Sequence, residues 1–223
     1  MSSGRAKIFR FNPETDKEPS YITYDYTFIR GMTVLDVLMQ VKEKWDPGLG
    51  FTYCCRNSHC GLCGVMVNGK STLSCREPAL EEIVVEPLAN LPVVKDLIID
   101  RSAYERRLDK MRPFLDRTRG PRQEPELIDM EAFHRFKIAS RCVECFCCLA
   151  ICPVYKQTPH AFIGPAALIM EARHFFDPRD ELNRKVILKE QGIDLCISCG
   201  RCSSVCPHHI SPLEIITEMR KRL

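Results

Sequence analysis

Cysteine is the residue type most able to carry chemistry in this chain of 223 residues. Its 14 cysteines form three groups with no isolated member, at positions 54, 55, 60, 63 and 75, then 142, 145, 147, 148 and 152, then 196, 199, 202 and 206. This density suggests disulfides in a small secreted domain but metal or redox chemistry in a cytosolic chain. The first residues lack the apolar core and cleavage site of a secretory signal. We therefore expect a cytoplasmic chain that binds metal.

The first group has the spacing C-x4-C-x2-C followed by a distant fourth cysteine, which is the plant-type [2Fe-2S] pattern. Gly61 and Gly64 strengthen the prediction, because a backbone wrapped around sulfide needs residues without Cβ and N–H groups that point at sulfur. Zinc is the alternative, but structural zinc motifs usually consist of two short cysteine pairs. A Rieske centre needs two histidines, so His59 is predicted to be an exposed loop residue. The predicted ligands are Cys55, Cys60, Cys63 and Cys75.

The second and third groups are two full copies of the bacterial ferredoxin run C-x2-C-x2-C-x3-C-P. In two-cluster ferredoxins, the fourth cysteine of each run binds the other cluster. One [4Fe-4S] cluster is therefore assigned to Cys142, Cys145, Cys148 and Cys206, and the other to Cys152, Cys196, Cys199 and Cys202. Cys54 and Cys147 are left over and are predicted to be structural, as small hydrophobes beside a cluster that tolerate burial. Cys54 in place of Cys55 is the alternative, but it would change the first gap to five residues. His208 and His209 are predicted to be solvated turn residues, with contact to a partner near the terminal cluster as the alternative.

The elements that must position these cysteines differ between the two halves. β-Branched and aromatic residues predict a hairpin of strands 7–11 and 21–28, and a further strand over 82–88. An apolar stripe of Val34, Leu38, Val41 and Trp45, after a cap at Thr33, predicts a helix over 34–45 that packs on the sheet. The segments GVMV and STLSC flank Asn68-Gly69, which suits a tight hairpin turn. A small mixed sheet with a helix across it is compatible with a β-grasp ferredoxin.

From about residue 95 to 116 the pattern is helical and amphipathic, and the polar, proline-bearing stretch 117–126 is the linker candidate. Short helices are predicted around 129–139, 165–176, 179–191 and 212–222, with Pro165 and Pro212 in first turns. The predicted organisation is a [2Fe-2S] domain over 1–95, a connecting helix and linker over 96–128, and an α-helical two-cluster domain over 129–223. The fold class is α+β.

Composition argues against a membrane-spanning chain and gives no support to a nucleic-acid-binding one. No run approaches the roughly 18 apolar residues of a membrane-spanning helix. The formal charge is +3 with neutral thiols, but each oxidised four-cysteine cluster carries about −2, so three clusters would make the protein negative. Nucleic-acid binding therefore gains no support. The bases Arg106, Arg107, Lys110 and Arg112 are interpreted as a solvated helix face.

The chain resembles, over nearly its whole length, the iron–sulfur subunits of succinate dehydrogenases and fumarate reductases. The resemblance lies in four segments, in order: YCCRNSHCGLCGVMVNGKSTLSC, CVECFCCLAICPVY, FIGPAALI and CISCGRCSSVCP. It implies that electrons pass between the FAD of a partner flavoprotein, a [2Fe-2S] cluster, a [4Fe-4S] cluster and a third cluster near a quinone site. It also implies that substrate chemistry belongs to the partner chain, and that the complex is peripheral on the inner face of the cytoplasmic membrane.

The chain departs from the common family pattern at three positions. The family usually lacks a cysteine where Cys199 stands, which leaves its third cluster as [3Fe-4S]. A complete [4Fe-4S] cluster is expected here, or [3Fe-4S] if Cys199 is not a ligand. The family's quinone-contacting tryptophan and histidine align with Gln157 and Ile197. An ordinary quinone site is therefore doubtful, and the partner is either a membrane anchor or a cysteine-rich electron-transfer subunit.

The leading hypothesis is an oxidoreductase subunit that transfers single electrons and has no catalytic residues of its own. The rival is a freestanding multi-cluster ferredoxin that serves another flavin oxidoreductase or a thiol/disulfide reductase. A zinc-stabilised scaffold is the third hypothesis. A brown, iron-containing protein would exclude the scaffold, and co-purification with a large flavoprotein would exclude the freestanding carrier.

Overall fold

The computed structural model describes residues 2–117, 120 and 125–223. Its contacts divide the chain into two compact units. The first contains the chain up to Arg101 together with Val143–Ile151, and the second contains Ser102–Cys142 and Cys152–Leu223. Most of the predicted linker, at 118–119 and 121–124, lies outside the described residues.

The first unit is built on a five-stranded mixed sheet of strand order β2-β1-β5-β3-β4. Its strands are β1 Ser2–Arg10, β2 Ser20–Phe28, β3 Gly64–Val67, β4 Lys70–Leu73 and β5 Glu82–Glu86. β1 pairs antiparallel with β2 and parallel with β5, while β3 pairs antiparallel with both β4 and β5. The predicted hairpin and the three later strands are confirmed. A separate two-stranded hairpin, β6 Val93–Lys95 and β7 Ile98–Ile99, was not predicted.

Helix α1, Val34–Lys44, forms where the apolar stripe predicts it. Thr33 and Asp36 make a capping box in which each side chain accepts the other residue's backbone N–H. Three members of the stripe are fully buried in the sheet's core, namely Val34, Leu38 and Val41. Each such burial stabilises the fold by about 1.5–3 kcal/mol. Trp45, the fourth member, is 47% exposed at the end of the helix, so its predicted packing role is wrong.

The Asn68-Gly69 turn between β3 and β4 is confirmed. Both residues have positive φ, 48° and 77°, as a two-residue hairpin turn of the favoured type requires. The Asn68 side chain also accepts the backbone N–H of Val84, 2.8 Å away on β5. The turn thereby fixes the register of the hairpin whose ends carry two of the predicted cluster ligands.

The second unit is helical, and its described residues contain no strand. Its α-helices are α2 Ser102–Lys110, α3 Met130–Ala139, α5 Pro153–Gln157, α6 Pro165–Phe175, α7 Arg184–Glu190, α8 Arg201–Ser204 and α9 Pro212–Lys221. Helix α4, Cys147–Ala150, belongs to the first unit. Pro165 and Pro212 occupy first-turn positions, as predicted. No helix in the described part of the chain is long and apolar enough to cross a membrane.

Two predicted helices begin later than expected because buried aspartates organise turns. Asp96 has φ +49°, and its buried carboxylate accepts the N–H groups of Phe11 and Gly50 at 3.0 and 2.8 Å. These bonds fix the turn between β6 and β7, so the helical prediction is wrong before Ser102. The carboxylate of Asp180 likewise accepts the N–H of Leu182 at 3.1 Å, and α7 starts only afterwards.

A buried ion network holds α6 and α7 together. Arg184, which is 3% exposed, donates to both carboxylate oxygens of Asp180 at 3.0 and 2.7 Å and to Glu171 at 3.2 Å. Its remaining donors reach the carbonyls of Met111 and Phe114 at 2.9 and 2.8 Å. Burial raises the pKa of Glu171 to about 7, although the charge of Arg184 opposes the rise.

Candidate metal centres

The β3–β4 hairpin brings the ends of the first cysteine group together. Cys63 immediately precedes β3 and Cys75 follows β4, and the strands pair Gly64 with Leu73 between them. Both thiols are buried beside Leu35 and Leu73. Cys55 and Cys60 are half-buried and lie in the loop that leads to Cys63. Three predicted ligands therefore lie before β3, and the fourth, Cys75, lies after β4 at the same end of the hairpin.

The backbone of this loop points its N–H groups at sulfur. The N–H groups of His59 and Cys60 donate to Cys55 Sγ at 3.2 and 3.3 Å, and the N–H of Ser58 donates to Cys75 Sγ at 3.3 Å. Positive φ angles at Arg56, Ser58 and Gly61 bend the chain into this cradle. Such donors stabilise thiolate sulfur and are the environment that an iron–sulfur cluster requires. The residues present therefore fit the predicted group.

The two ends of the cradle differ in electrostatics. Hydrogen bonding, chiefly from the backbone N–H of Asn57, lowers the pKa of Cys55 to about 7 and so favours the Cys55 thiolate. Burial raises the pKa of Cys75 to about 12. A thiolate there needs a nearby positive charge, which the iron of a cluster supplies when bound.

The leftover residues of this loop separate into one confirmed prediction and one correction. His59 is exposed, as predicted for a residue without a ligand role. Cys54 is also exposed, so the predicted role of a small hydrophobe packed beside a cluster is wrong there. Cys147, the other leftover cysteine, is fully buried at the start of α4, as predicted.

Four cysteines of the second unit line one pocket: Cys152, Cys196, Cys199 and Cys202. They are the set predicted for the second [4Fe-4S] cluster. Ser198 and Gly200, with φ of 56° and 76°, bend the loop that carries Cys196, Cys199 and Cys202. Arg220 holds this loop by donating to the carbonyl of Cys196 at 3.0 Å. The pocket's other walls include the apolar side chains of Ile197, Leu213 and Ile216.

The thiols in this pocket lie in surroundings of different polarity. Burial raises the pKa of Cys202 to about 11 and raises that of Cys152 as well. Cys152 caps α5 and accepts the N–H of Tyr155 at 3.5 Å, while Cys199 is exposed. Within the ranges that the structure describes, no three His, Cys, Asp or Glu side chains are grouped as ligands of a single metal ion. The fit to a cluster rests on the shared pocket and on the donors to sulfur.

The first ferredoxin run is divided between the units, with Cys145 and Cys148 in the first and Cys142, like Cys206, in the second. Within the first unit, positive φ at Glu144 and Phe146 turns the chain on either side of Cys145. Within the second, Arg173 donates to the carbonyl of Cys142 at 2.7 Å. His209 is exposed and His208 is partly buried in the turn after the last run.

Polar anchors of these loops escaped sequence analysis. Ser71 Oγ donates to the carbonyl of Cys147 at 2.9 Å, and the Asn90 side chain donates to the carbonyls of Leu149 and Ala150 at 3.0 and 2.8 Å. Ser71 thereby ties the segment after Cys145 to strand β4, and Asn90 ties it to the loop between β5 and β6. No local spacing signals such contacts, because the partners lie 59 to 76 residues apart.

Comparison with known domains matches the two halves of the chain separately. Residues 5–106 match the family described as 2Fe-2S iron-sulfur cluster binding domain, and residues 138–210 match the family described as 4Fe-4S dicluster domain. The protein is therefore an iron–sulfur protein of class α+β, with an N-terminal 2Fe-2S β-sheet domain followed by a helical 4Fe-4S dicluster domain. The predicted fold class is confirmed.

The relatives define the family more closely. The chain is 33% identical to the fumarate reductase iron-sulfur subunit of Haemophilus influenzae, over 95% of this chain and 90% of that protein. It is 32% identical to the succinate dehydrogenase iron-sulfur subunit of Coxiella burnetii, over 97% and 95%. The chain belongs to the family of iron–sulfur subunits of succinate dehydrogenases and fumarate reductases, and it is an electron-transfer subunit of that oxidoreductase class.

Two further proteins are similar to this chain over nearly its whole length. A chain of the Mycobacterium smegmatis Sdh1 complex in the apo form has the same fold, with a TM-score of 0.85 at 24% identity over 99% of this chain and 95% of that one. A fumarate reductase (CoM/CoB) subunit of Methanothermobacter marburgensis is 35% identical over 96% of this chain. This chain spans only 43% of that protein.

Proposed function

We propose that this chain relays single electrons between the FAD of a flavoprotein subunit and an acceptor held by another subunit of the same complex. The observation that carries the proposal is the cradle of N–H groups around Cys55 and Cys75, on a chain that aligns end to end with the family. The chain's own residues hold the clusters and direct backbone N–H groups at sulfur. Substrate turnover belongs to the flavoprotein.

The proposed cofactors are one [2Fe-2S] and two [4Fe-4S] clusters, which supply one-electron chemistry when bound. Their ligands are those assigned from the spacing, namely Cys55, Cys60, Cys63 and Cys75; Cys142, Cys145, Cys148 and Cys206; and Cys152, Cys196, Cys199 and Cys202. The joint pocket of the last four supports a complete cubane. The complex is proposed to lie on the inner face of the cytoplasmic membrane through its other subunits.

The acceptor is proposed to be either a quinone at a membrane anchor or the thiol chemistry of a cysteine-rich subunit. Gln157 is exposed and Ile197 is 64% exposed, so neither supplies the ring contact or imidazole expected of the family's usual quinone site. The relative named for a CoM/CoB enzyme, at 35% identity, supports the thiol-linked alternative.

Anaerobic purification of the tagged chain from its native host tests the proposal. We expect a brown complex that contains a flavoprotein with bound FAD. The complex should couple the oxidation of reduced viologen to the reduction of fumarate, or the oxidation of succinate to the reduction of a dye. A chain that elutes alone with all its clusters would instead be a freestanding carrier. Zinc in place of iron would reject both.

The acceptor class is tested on the same complex. Reduction of a soluble quinone analogue by a complex with a multi-helix anchor supports the quinone alternative. Reduction or formation of a dithiol by a complex with a cysteine-rich subunit supports the other. Cys199→Ser should slow the chain's reaction with either acceptor without affecting dye-linked turnover at the flavoprotein.

A further inference from the structure

Arg101 is held against the segment that carries Cys145, within the first unit. Its guanidinium lies over the ring of Phe146, 4.2 Å from the ring centre, and Nη2 donates to the carbonyl of Glu144 at 3.4 Å. Phe146 is 1% exposed, so the ring offers a fixed and dry platform. The two contacts are with the residues on either side of Cys145. A positive charge is therefore placed beside that cysteine by two independent attachments.

The surroundings of this charge are weakly polar. Arg101 and Cys145 line one small pocket, whose other walls include Gly61, Gly64, Leu88 and Ile99. Glycine backbone and aliphatic side chains screen a charge much less than water does. At an effective dielectric constant near 20, a charge pair interacts about four times more strongly than in bulk water. The guanidinium should therefore act strongly on its immediate neighbours.

We propose that Arg101 raises the reduction potential of the [4Fe-4S] cluster bound through Cys145. The inference rests on the proposed ligand role of that cysteine. Reduction adds one electron and breaks no bond, so the cluster with its four thiolates goes from a formal charge of about −2 to about −3. A fixed positive charge stabilises the more negative form more strongly, and the equilibrium shifts towards reduction.

This role gives the pocket a function in electron transfer. Gly61, in the loop of the [2Fe-2S] site, and Gly64, the first residue of β3, line the same pocket as Arg101. A higher potential at the cluster of Cys145 makes it a better electron acceptor from the neighbouring site. Arg101 therefore biases the direction in which an electron moves across this part of the first unit.

The test is a redox titration of the purified, cluster-loaded protein, followed by electron paramagnetic resonance. Arg101→Gln and Arg101→Met remove the charge, whereas Arg101→Lys keeps it. We expect the two neutral variants to shift the reduction equilibrium of this cluster at least tenfold towards the oxidised form, which is about 59 mV for one electron. The lysine variant keeps the positive charge but loses the stacking on Phe146, so its shift should be smaller than that of either neutral variant. Arg5→Gln, at an exposed ion pair with Glu82, is the matched control and should not shift it.

The outcomes separate this inference from the proposed function. Loss of one of the two four-iron signals in Cys145→Ala, which leaves no side-chain ligand at this position, establishes the ligand role of Cys145. Retention of both signals in that variant rejects both the ligand role and the inference. An intact signal with an unchanged potential in Arg101→Gln rejects the inference alone.

A second pair of variants tests the inference if both Arg101→Gln and Arg101→Met lose the cluster. Thr52 is exposed and lines the same pocket. Thr52→Asp adds a carboxylate that should offset the guanidinium and lower the potential, relative to the isosteric Thr52→Asn. Equal potentials in this pair would show that charge in the pocket does not reach the cluster, and the inference would be wrong.

Discussion

Gly61 and Gly64 allow the backbone of the first cysteine group to lie close to the backbone of residues 143–145 in the first unit. A Cβ on Gly61 would lie 2.0 Å from the carbonyl oxygen of Val143, and a Cβ on Gly64 would lie 2.7 Å from that of Cys145. Backbone atoms cannot give way as a flexible side chain can. These glycines therefore have a second role beside the predicted wrapping of sulfide, because they leave room for the segment that carries Cys145, the next predicted cluster ligand.

Gly61→Ala should destabilise the first unit by more than about 2 kcal/mol, since the new methyl group meets backbone and the residue has φ +70°. Iron and sulfide content, together with thermal unfolding under anaerobic conditions, measure the effect. Gly69→Ala is the matched control. Gly69 has φ +77° with nothing within 4 Å, so it carries the backbone cost of about 1 kcal/mol without the collision. Equal losses in the two variants would contradict the close-approach argument.

Cys199→Ser should convert the cluster of the second unit towards [3Fe-4S], because serine withdraws the fourth thiolate from one iron. The three-iron form should have the higher potential, since one anionic ligand is lost. Electron paramagnetic resonance of the air-oxidised protein detects the three-iron signal. Cys54→Ser, at an exposed cysteine with no predicted ligand role, is the control and should keep all clusters. A stoichiometric three-iron signal in the wild type, resistant to ferrous iron and reductant, would contradict a ligand role for Cys199.

At this scale the sequence supplies a pattern for the cysteines but none for the residues that support their loops. Cluster spacing is a local pattern, so spacing alone groups the four cysteines that share a pocket in the second unit. Arg101 and Ser71 act on carbonyls 43 and 76 residues away in the chain. Arginine and serine at isolated positions carry no signal of such contacts. The exposure of Cys54 is also mispredicted, because hydrophobic character alone does not say which way a loop residue points.

Among the elements, local sequence decides the helices and strands where it supplies its own caps and turns. The capping box at Thr33 and the Asn68-Gly69 turn place α1 and the β3–β4 hairpin correctly. Prediction fails where a buried side chain serves residues distant in sequence, as Asp96 does for Phe11 and Gly50. The residues from 95 onward have a helical pattern, but three hydrogen bonds to the carboxylate of Asp96 hold the chain in a turn there instead. The short helices α4 and α8, of four residues each, have no periodicity to detect.

The contact between α6 and α7 yields a prediction about pH. Burial raises the pKa of Glu171 to about 7 in the folded protein, against an ordinary value near 4.5. The folded state therefore binds more protons than the unfolded state between these values, and the stability contributed by this group falls as pH rises through 7. Glu171→Gln removes this pH dependence, because glutamine does not titrate. The free energy of unfolding of the variant, relative to that of the wild type, should therefore increase by about 1 kcal/mol between pH 6 and 8.

Denaturant unfolding of the cluster-loaded protein at several pH values, under anaerobic conditions, measures this difference. The curves of free energy of unfolding against pH should converge or cross as pH rises, with the wild type losing more. Parallel curves for the wild type and Glu171→Gln would show that Glu171 is ionised throughout this range, held by its contact with Arg184 at 3.2 Å. The pKa of Glu171 would then be set by the ion pair rather than by burial.

For the molecule as a whole, the two units differ in how much stability they have without metal. The main core of the first unit consists of aliphatic and aromatic residues of the sheet and α1, and contains no cysteine. The second unit has helices of four to eleven residues and no sheet among its described residues. Isolated helices shorter than about 12 residues are marginal in water. The helical unit therefore depends more strongly on its clusters.

Removal of iron by a chelator under reducing conditions should unfold the protein, because closely grouped thiolates repel one another once the metal is gone. The helical signal in far-ultraviolet circular dichroism and the near-ultraviolet signal should be lost first. Part of the β-sheet signal should persist longest, since its main core does not include a thiol. Readdition of iron and sulfide should restore the helical signal in parallel with the colour of the clusters. Cooperative unfolding and a native near-ultraviolet spectrum after complete iron removal would show that the packing of apolar side chains alone maintains the fold.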